Sequence, residues 1–177
     1  MNSIKKRQIG DKVYFSRFRS NKLKSTLVKN VNELERKLIE DMLETMYIEP
    51  GIGLAAPQVG HNSRIIVIDI SDNKEDRQPY RIVNPIITWV SEDDNISEEG
   101  CLSLPQQYAE VVRPRAIKVN YIDQNNVRQS LEADGLLATC LQHEIDHLEG
   151  ILFVDHISAL KRNMILRKLI KTKRSQN

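Results

Sequence analysis

The chain has few cysteines and no long hydrophobic segment. Its 177 residues include only two cysteines, too few for the disulfide framework that stabilises many small secreted domains. The longest aliphatic run, residues 65–70, is interrupted by Asp69 and is far shorter than the roughly 20 residues that span a bilayer. The cysteines are therefore expected to be free thiols or metal ligands, and no membrane partner is expected.

A strong excess of charge and a secretory leader are also missing. The formal net charge is only +2, which gives no general attraction to DNA or RNA. Residues 1–7 are basic but no apolar run follows them, unlike a secretory signal. We therefore expect a cytoplasmic protein, and the 40% apolar content over this length predicts a single domain spanning residues 1–177.

The most informative motif is H-E-I-D-H at residues 143–147. Residues four apart lie on the same face of a helix, so the imidazoles of His143 and His147 can reach one metal ion while Glu144 lies beside it. A catalytic metal site of this kind has three protein ligands and one open position. The third ligand must therefore come from another residue.

The two cysteines are the candidates for this third ligand. Cys140 precedes His143 by three residues, but Cys140 and His147 would lie about 10 Å apart along a helix axis. Metal–ligand distances are only about 2.0–2.3 Å, so three ligands along one straight helix cannot surround an ion. Cys101 follows a glycine in a separate segment. The predicted metal ligands are therefore Cys101, His143 and His147.

This set of ligands indicates a hydrolase. A divalent ion held by a thiolate and two neutral imidazoles makes a water molecule more acidic. Glu144 would accept the proton of that water and pass it to a leaving nitrogen, so amide hydrolysis is the expected reaction. Zinc, iron, nickel and cobalt all suit the donor atoms.

The hydrophobic pattern predicts an α+β domain in which antiparallel β-sheets surround a central metal-binding helix, with an N-terminal helix and a C-terminal helix. Helices are predicted over residues 32–47, 134–150 and 157–173, and strands over residues 64–70, 81–90, 116–122 and 127–133. Asn32 and Glu35 predict a capping box, and Pro85 predicts an edge strand or a bulge. The apolar positions expected to face the core are Leu34, Leu38, Ile39, Met42, Leu43 and Met46 in the first helix and Ile157, Leu160, Met164, Ile165 and Leu169 in the last.

Two further segments accompany the histidine motif: G-I-G-L-A-A-P-Q-V-G at residues 51–60 and E-G-C-L-S at residues 99–103. Together with Q-H-E-I-D-H they resemble the three signature motifs of the peptide deformylases, in the order and with spacings that the family uses. The resemblance extends from about residue 30 nearly to the end of the chain. It implies that the protein removes the formyl group from the initiator methionine of nascent chains and releases formate.

The same resemblance implies roles for individual residues. Gln58 and the backbone N–H of Leu102 would stabilise the oxyanion. Three glycines, Gly51, Gly53 and Gly100, would allow close approach of an extended peptide, which in this family pairs with these segments like a strand. The methionine pocket would be lined by Ile52, Leu136, Thr139 and Cys140, with His143 at its floor. Ferrous iron is the implied working ion, and N-formylmethionyl nascent peptides are the implied partner.

Two other functions fit parts of the pattern. A zinc-dependent peptidase shares H-E-x-x-H but takes its third ligand downstream, where this chain offers Glu149, Asp155 and His156. A non-enzymatic metal module would use both cysteines and both histidines as a closed site, with the basic end of the chain binding RNA. The axial distance between Cys140 and His147 argues against the second alternative.

The basic residues near the end of the chain have two interpretations. They form either the solvated face of the last helix or a contact with ribosomal RNA, and a contact of this kind depends on salt. The residues concerned are Lys161, Arg162, Arg167, Lys168, Lys171, Lys173 and Arg174.

Three other features carry more limited expectations. Asp146 is expected to have a structural role, with Arg113 or Arg115 as its partner. Glu99 is expected to be a polar group at the mouth of the site or simply solvated, and Tyr108 is assigned no role. Residues 10–16, G-D-K-V-Y-F-S, depart from the pattern of many deformylases, so the packing of the first 30 residues is not predicted.

Overall fold

The computed structural model describes residues 24–176, with the side chains of residues 24–172. The atypical residues 10–16 lie outside this range. The helices are α1 (Glu33–Ile48), α2 (Gly135–Leu148) and α3 (Ala159–Gln176). The strands are β1 (Gly53–Ala55), β2 (Ile65–Ile68), β3 (Tyr80–Val90), β4 (Asp94–Cys101), β5 (Leu104–Pro114), β6 (Ala116–Ile122) and β7 (Arg128–Asp134). This is the α+β class that the sequence predicts.

Two antiparallel sheets contain all the strands named in the described part of the chain. Five strands pair in the order β1-β2-β3-β6-β7, and β4 and β5 form a separate two-stranded hairpin. Because β3 is the middle strand of the larger sheet, the edge position predicted from Pro85 is wrong. The predicted bulge is confirmed, since the register with β6 shifts between Val83 and Ile86.

Strand β2 is buried on both faces and therefore separates two parts of the core. Ile65 and Val67 pack in a cluster with α1, whereas Ile66 and Ile68 pack in a cluster with α2. Alternate residues of a strand point to opposite faces, so a continuous apolar run such as Ile65–Ile68 fits a strand covered on both sides. Helix α2 also contacts β5 of the hairpin, which makes it the central helix between the two sheets.

Helix α1 begins as predicted. The side chain of Asn32 accepts a hydrogen bond from the Leu34 N–H at 2.8 Å, and the Glu35 carboxylate accepts one from the Asn32 N–H at 3.0 Å, which completes a capping box. Ile39, Met42, Leu43 and Met46 are buried, but Leu34 is 77% exposed. A spacing of four residues drifts by about 40° per step around a helix with about 3.6 residues per turn, and this drift carries Leu34 away from the core.

The same drift explains helix α3. Leu169 is buried and Ile165 packs beside it, but Leu160 and Met164 are 74% and 63% exposed. The apolar positions predicted for this helix therefore occupy two faces rather than one. None of the described helices is long and apolar enough to cross a membrane.

Strands β1, β4 and β5 were not expected from the sequence. Strand β4 (Asp94–Cys101) is mostly polar, β5 (Leu104–Pro114) contains two prolines, and β1 has only three residues. None of them shows the apolar alternation that indicates a strand. The hairpin matters for function because it carries Cys101.

Candidate active site

Helix α2 presents both histidines of the H-E-x-x-H motif to the interior. The rings of His143 and His147 lie with their centroids 4.9 Å apart in an edge-to-face arrangement. His147 is 1% exposed and Glu144 is 4% exposed. The four-residue spacing thus places two imidazoles and one carboxylate on the buried side of one helix, as predicted.

Cys101 reaches these histidines from the end of strand β4. Its Sγ lies 3.2 Å from Nε2 of His147. Candidate ligand atoms of Cys101, His143 and His147 all lie within 4.8 Å of one another. One thiolate and two imidazoles are suitable donors for a divalent transition metal, so these residues fit a metal site.

Cys140 is placed differently. Its thiol donates a hydrogen bond to the Ile52 carbonyl at 3.6 Å, and it is not among the residues whose ligand atoms converge. Burial, with a smaller contribution from Glu144, raises the pKa of the Cys140 thiol well above its ordinary value. A buried neutral thiol is a poor metal ligand, so this arrangement does not support the closed four-ligand site.

The downstream candidates for a peptidase-type third ligand also have other contacts. Glu149 forms ion pairs with Lys24 and Arg64, and His156 lies 2.7 Å from Asp146. Asp155 accepts a hydrogen bond from the Leu152 N–H at 3.1 Å. None of the three belongs to the group of converging ligand atoms found in the described part of the chain.

Glu99 fixes the orientation of His143. The Glu99 carboxylate lies 2.8 Å from Nδ1 of His143, and a carboxylate can only accept a hydrogen bond from that ring nitrogen. The lone pair of Nε2 is then available for a metal ion, an arrangement common around metal-bound histidine. Glu99 is 5% exposed and lines the active-site cleft, so the solvated alternative is wrong and Glu99 is a polar group of the site.

Arg113 compensates the buried charge of Glu99. Its guanidinium binds both carboxylate oxygens of Glu99 and also Asp146, at 2.8 Å. Burial alone would raise the pKa of Glu99, but the hydrogen bonds from His143 and Arg113 outweigh it and lower the pKa to about 2. Of the two arginines expected to pair with Asp146, Arg113 does so, whereas Arg115 is exposed.

Glu144 has a carboxylate oxygen that is not satisfied by the described residues. Its Oε2 is buried and has no hydrogen-bond partner there. Burial, partly offset by the charge of His143, raises the pKa of Glu144 to about 7. A carboxyl group with this pKa can both accept and donate a proton near neutral pH.

Gln58 is held in one orientation beside Cys101. Its Oε1 accepts a hydrogen bond from the Ala55 N–H at 2.7 Å. Its Nε2 is thereby directed towards Cys101 Sγ at 3.6 Å and Ser103 Oγ at 3.2 Å. The amide donor is therefore preorganised at the converging ligands.

A cleft of about 660 Å³ opens onto these groups. Every residue to which the sequence assigned a catalytic, substrate-binding or metal role lines it, except the buried His147. They are Gly51, Ile52, Gly53, Gln58, Gly100, Cys101, Leu102, Leu136, Thr139, Cys140, His143 and Glu144. A Cβ atom at Gly53 would lie 2.5 Å from Oε1 of Glu144 and 2.8 Å from Sγ of Cys140, so only glycine fits there.

Sequence reasoning missed several residues around the cleft. Glu98 and Tyr108 line it, and the pairing of Glu99 with Arg113 was not foreseen. These residues depend on the β4–β5 register. Residues 111–113 are Val-Val-Arg, a run in which apolar and polar residues do not alternate, so the sequence offered no local signal for this register.

Comparison with known proteins agrees with this geometry. The family model described as "Polypeptide deformylase" matches residues 19–163. The peptide deformylase of Pelagibacter ubique is 54% identical over 146 residues, which are 82% of this chain and 85% of that protein. That of Rhizobium meliloti is 51% identical over 152 residues, 86% of this chain and 87% of that protein.

Solved structures show the same relationship. The crystal structure of peptide deformylase from Ehrlichia chaffeensis superimposes with a TM-score of 0.83 at 39% identity and covers 94% of each chain. A structure of the enzyme from Ehrlichia chaffeensis in complex with actinonin gives a TM-score of 0.82 at 42% identity and covers 86% of this chain and 91% of that one. The chain belongs to the polypeptide deformylase family.

Proposed function

We propose that this protein is a metal-dependent peptide deformylase that removes the formyl group from N-formylmethionyl nascent peptides and releases formate. Family membership over most of the chain supports this reaction. The observation that carries it is the convergence of Cys101, His143 and His147 beside the buried, unsatisfied carboxylate of Glu144. These four residues combine a metal site with a group able to transfer protons.

Cys101, His143 and His147 are proposed to hold one divalent ion. When bound, the ion supplies Lewis acidity, which polarises the formyl carbonyl and makes a water molecule more acidic. We propose ferrous iron in the cell, with zinc, nickel or cobalt in its place after purification. Metal analysis tests the ligand set: Cys101→Ser should lose the metal, whereas the matched variant Cys140→Ser should keep it.

Glu144 is proposed to carry the proton through the reaction. Its carboxylate accepts a proton from the attacking water and passes it to the amide nitrogen as the carbon–nitrogen bond breaks, which yields formate and a free amino group. The Gln58 Nε2–H and the Leu102 backbone N–H are proposed to donate hydrogen bonds to the developing oxyanion. The fixed orientation of Gln58 supports this role, because a preorganised donor needs no rearrangement during the reaction.

The walls of the cleft are proposed to bind the peptide. Gly51, Gly53 and Gly100 line the cleft, and their backbone is proposed to pair with an extended chain. The methionine side chain would lie among four residues that line the cleft: Ile52, Leu136, Thr139 and Cys140. Ile52 and Leu136 are 42% and 56% exposed, so apolar surface is available for a flexible thioether.

Domain organisation, location and ribosome contact complete the proposal. Helix α2 contacts both sheets, which supports one catalytic domain over residues 1–177, and a single calorimetric transition would test this. Action on nascent chains implies a cytoplasmic enzyme.

The basic residues of α3, including Lys161, Arg167 and Lys168, are proposed to contact ribosomal RNA. Binding to ribosomes that survives both high salt and deletion of residues 161–177 would contradict that contact.

The deciding experiment is formate release from a formyl-methionyl peptide by protein purified anaerobically with ferrous iron. Wild-type protein should release formate, and Glu144→Ala should lose nearly all activity while its metal content stays the same. A folded, metal-loaded wild type that releases no formate would refute the proposal. A Glu144→Ala variant with full activity would refute the role of Glu144 alone.

A further inference from the structure

Three consecutive residues at the tip of the β4–β5 hairpin lie at the active site. The register pairs Cys101 with Leu104, so Leu102 and Ser103 form the turn between the two strands. Cys101 is a proposed metal ligand and Leu102 carries a proposed oxyanion donor, whereas Ser103 belongs to neither group. Ser103 is nonetheless only 6% exposed, and burying a hydroxyl group is costly unless it forms a hydrogen bond.

The hydroxyl group of Ser103 is bonded to the side-chain amide of Gln58. Nε2 of Gln58 donates to Ser103 Oγ at 3.2 Å, and Gln58 itself is 2% exposed. Gln58 lies on a short 3₁₀ helix (Ala56–Val59) between β1 and β2, 45 residues away in the chain. The bond therefore joins the segment that carries one proposed oxyanion donor to the turn that carries the other.

Each polar atom of the Gln58 amide has a partner. A primary amide offers one carbonyl acceptor and two N–H donors. Oε1 accepts a hydrogen bond from the Ala55 N–H at 2.7 Å. Nε2 has two acceptors within reach, Ser103 Oγ at 3.2 Å and Cys101 Sγ at 3.6 Å. Because the amide is planar, directing one N–H to Ser103 fixes the direction of the other, which points towards Cys101.

The two contacts of Nε2 differ in strength. Sulfur is a weak acceptor and its contact is the longer one, whereas the hydroxyl oxygen of Ser103 lies closer. An oxygen that gains negative charge is a stronger acceptor than a neutral one. The N–H directed at Cys101 is therefore the one that can turn to a reacting oxygen, while the bond to Ser103 stays in place.

We propose that Ser103 is a positioning residue for deformylation, whose hydroxyl group holds one N–H of Gln58 so that the other meets the oxyanion together with the Leu102 N–H. This inference rests on the proposed deformylase function. In this role Ser103 does not touch the substrate and acts through Gln58 alone. Because a misaligned donor loses much of its effect on the transition state, the hydroxyl group should contribute to kcat rather than to substrate affinity.

The first test is Ser103→Ala, measured as formate release from a formyl-methionyl peptide by metal-loaded enzyme. We expect kcat to fall about tenfold with KM nearly unchanged, because the donor is misaligned rather than removed. Removal of a whole oxyanion donor, as in Gln58→Ala, typically costs about 100- to 1,000-fold in kcat. Full kcat in folded, metal-loaded Ser103→Ala would overturn the inference.

Two further variants isolate the hydroxyl group. Ser103→Thr keeps a hydroxyl group and should retain most of kcat, and equal kcat in the threonine and alanine variants would contradict the role of that group. Ser97→Ala is the matched control on the same hairpin. It removes another buried hydroxyl oxygen, one with no hydrogen-bond partner in the described part of the chain, and should leave kcat unchanged.

A double-mutant cycle shows whether Ser103 acts through Gln58. Gln58→Ala removes the amide, so adding Ser103→Ala to it should cause no further loss of kcat. A serine that only supports the fold would lower kcat by the same factor in both backgrounds. Equal factors would overturn the inference even if Ser103→Ala alone is slow.

The Gln58 amide also gives a readout that does not depend on activity. In zinc-loaded protein labelled with 15N-glutamine, the pair of side-chain NMR signals that is missing from Gln58→Ala belongs to Gln58. Ser103→Ala should shift this pair, because one N–H loses its acceptor, whereas Ser97→Ala should leave it in place. Unshifted signals in Ser103→Ala would overturn the inference.

Failure of this inference can be distinguished from failure of the proposed function. Turnover by the wild type together with full kcat in Ser103→Ala would overturn the role of Ser103 and leave the proposed function standing. No turnover by folded, metal-loaded wild type would refute the proposed function and, with it, the role of Ser103.

Discussion

Glu98 and Glu99 are chemically identical neighbours on strand β4, yet their surroundings are opposite. Glu99 is 5% exposed and bonded to His143 and Arg113, whereas Glu98 is exposed and faces Glu110. Alternation along the strand causes this difference, because successive side chains point to opposite faces. The face of the hairpin that carries Glu99, its inner face, uses opposite charges to hold a metal ligand. The face that carries Glu98 and Glu110, its outer face, places two like charges side by side.

The largest expected effect on stability comes from removing the positive charge of Arg113 on the inner face of the hairpin. Arg113→Met would leave the buried carboxylate of Glu99 without its counter-charge. Breaking a buried ion pair in this way typically destabilises a protein by about 3–5 kcal/mol. Urea denaturation of the metal-free protein should show the loss as a lower midpoint at unchanged slope.

Arg115→Met is the matched control for this change. Arg115 lies two residues along the chain and is exposed, so its substitution should change the free energy of unfolding by no more than about 0.5 kcal/mol. If the Arg113 and Arg115 variants unfold at the same urea concentration, the inner ion pair does not stabilise the fold.

A second substitution separates the two faces through metal affinity. Glu99→Gln weakens the acceptor that holds Nδ1 of His143, and loss of such an outer partner typically lowers metal affinity by about 10–100-fold. Glu98→Gln changes the same group on the other face and should leave metal affinity unaltered. Competition with a chelator measures both, and equal affinities in the two variants would contradict the division between the faces.

The same pair predicts a pH dependence of stability. The pKa of Glu99 is lowered in the folded state to about 2, so its contribution is fully present above the unfolded pKa of about 4.3. It is lost as the pH falls through the folded value. The difference in stability between metal-free wild type and Glu99→Gln should therefore shrink as the pH falls below about 4. A difference that stays constant down to pH 2 would contradict the lowered pKa.

The metal-binding helix α2 could be predicted from the sequence because the residues that define it are close together in the chain. His143, Glu144 and His147 share one face of α2 through their spacing alone, and Asn32 with Glu35 specified the start of α1 in the same way. The axial length of a helix also excluded Cys140 as a ligand. These conclusions need only helix geometry.

The contacts of the β4–β5 hairpin could not be predicted in that way, because they depend on the register between residues that are distant in the sequence. Glu99 meets Arg113 only when β4 pairs with β5, and His143 meets Glu99 only when α2 packs against that hairpin. Consecutive glutamates at positions 98 and 99 carry no local sign of which one is buried. Exposed Leu160 and Met164 on α3 show the same limit, since an apolar residue does not reveal whether a neighbour covers it.

A smaller effect is expected at Asp146, which lies at the more exposed end of the ion pairs that Arg113 forms with Glu99 and Asp146. Asp146 is bonded to Arg113 and to His156, at 2.8 and 2.7 Å, and its side chain is 18% exposed. Asp146→Asn should lower the free energy of unfolding by about 1–3 kcal/mol while metal content stays intact, because hydrogen bonds to charged groups contribute about that much. Loss of metal from a fully folded variant would instead show that Asp146 supports the ligands directly.

The smallest expected effect is a gain in stability, and it comes from a substitution on the outer face of the hairpin. Glu110→Gln removes one member of the like-charge pair with Glu98, so the protein should become slightly more stable, by about 0.2–1 kcal/mol. Because both groups are exposed, this gain should vanish in about 1 M salt. The control Glu92→Gln, which removes an exposed carboxylate between β3 and β4, should show no comparable gain. Thermal unfolding at low and high salt measures the change. A destabilised Glu110→Gln variant would mean that Glu110 makes a favourable contact within the chain, which would contradict an unfavourable pair with Glu98.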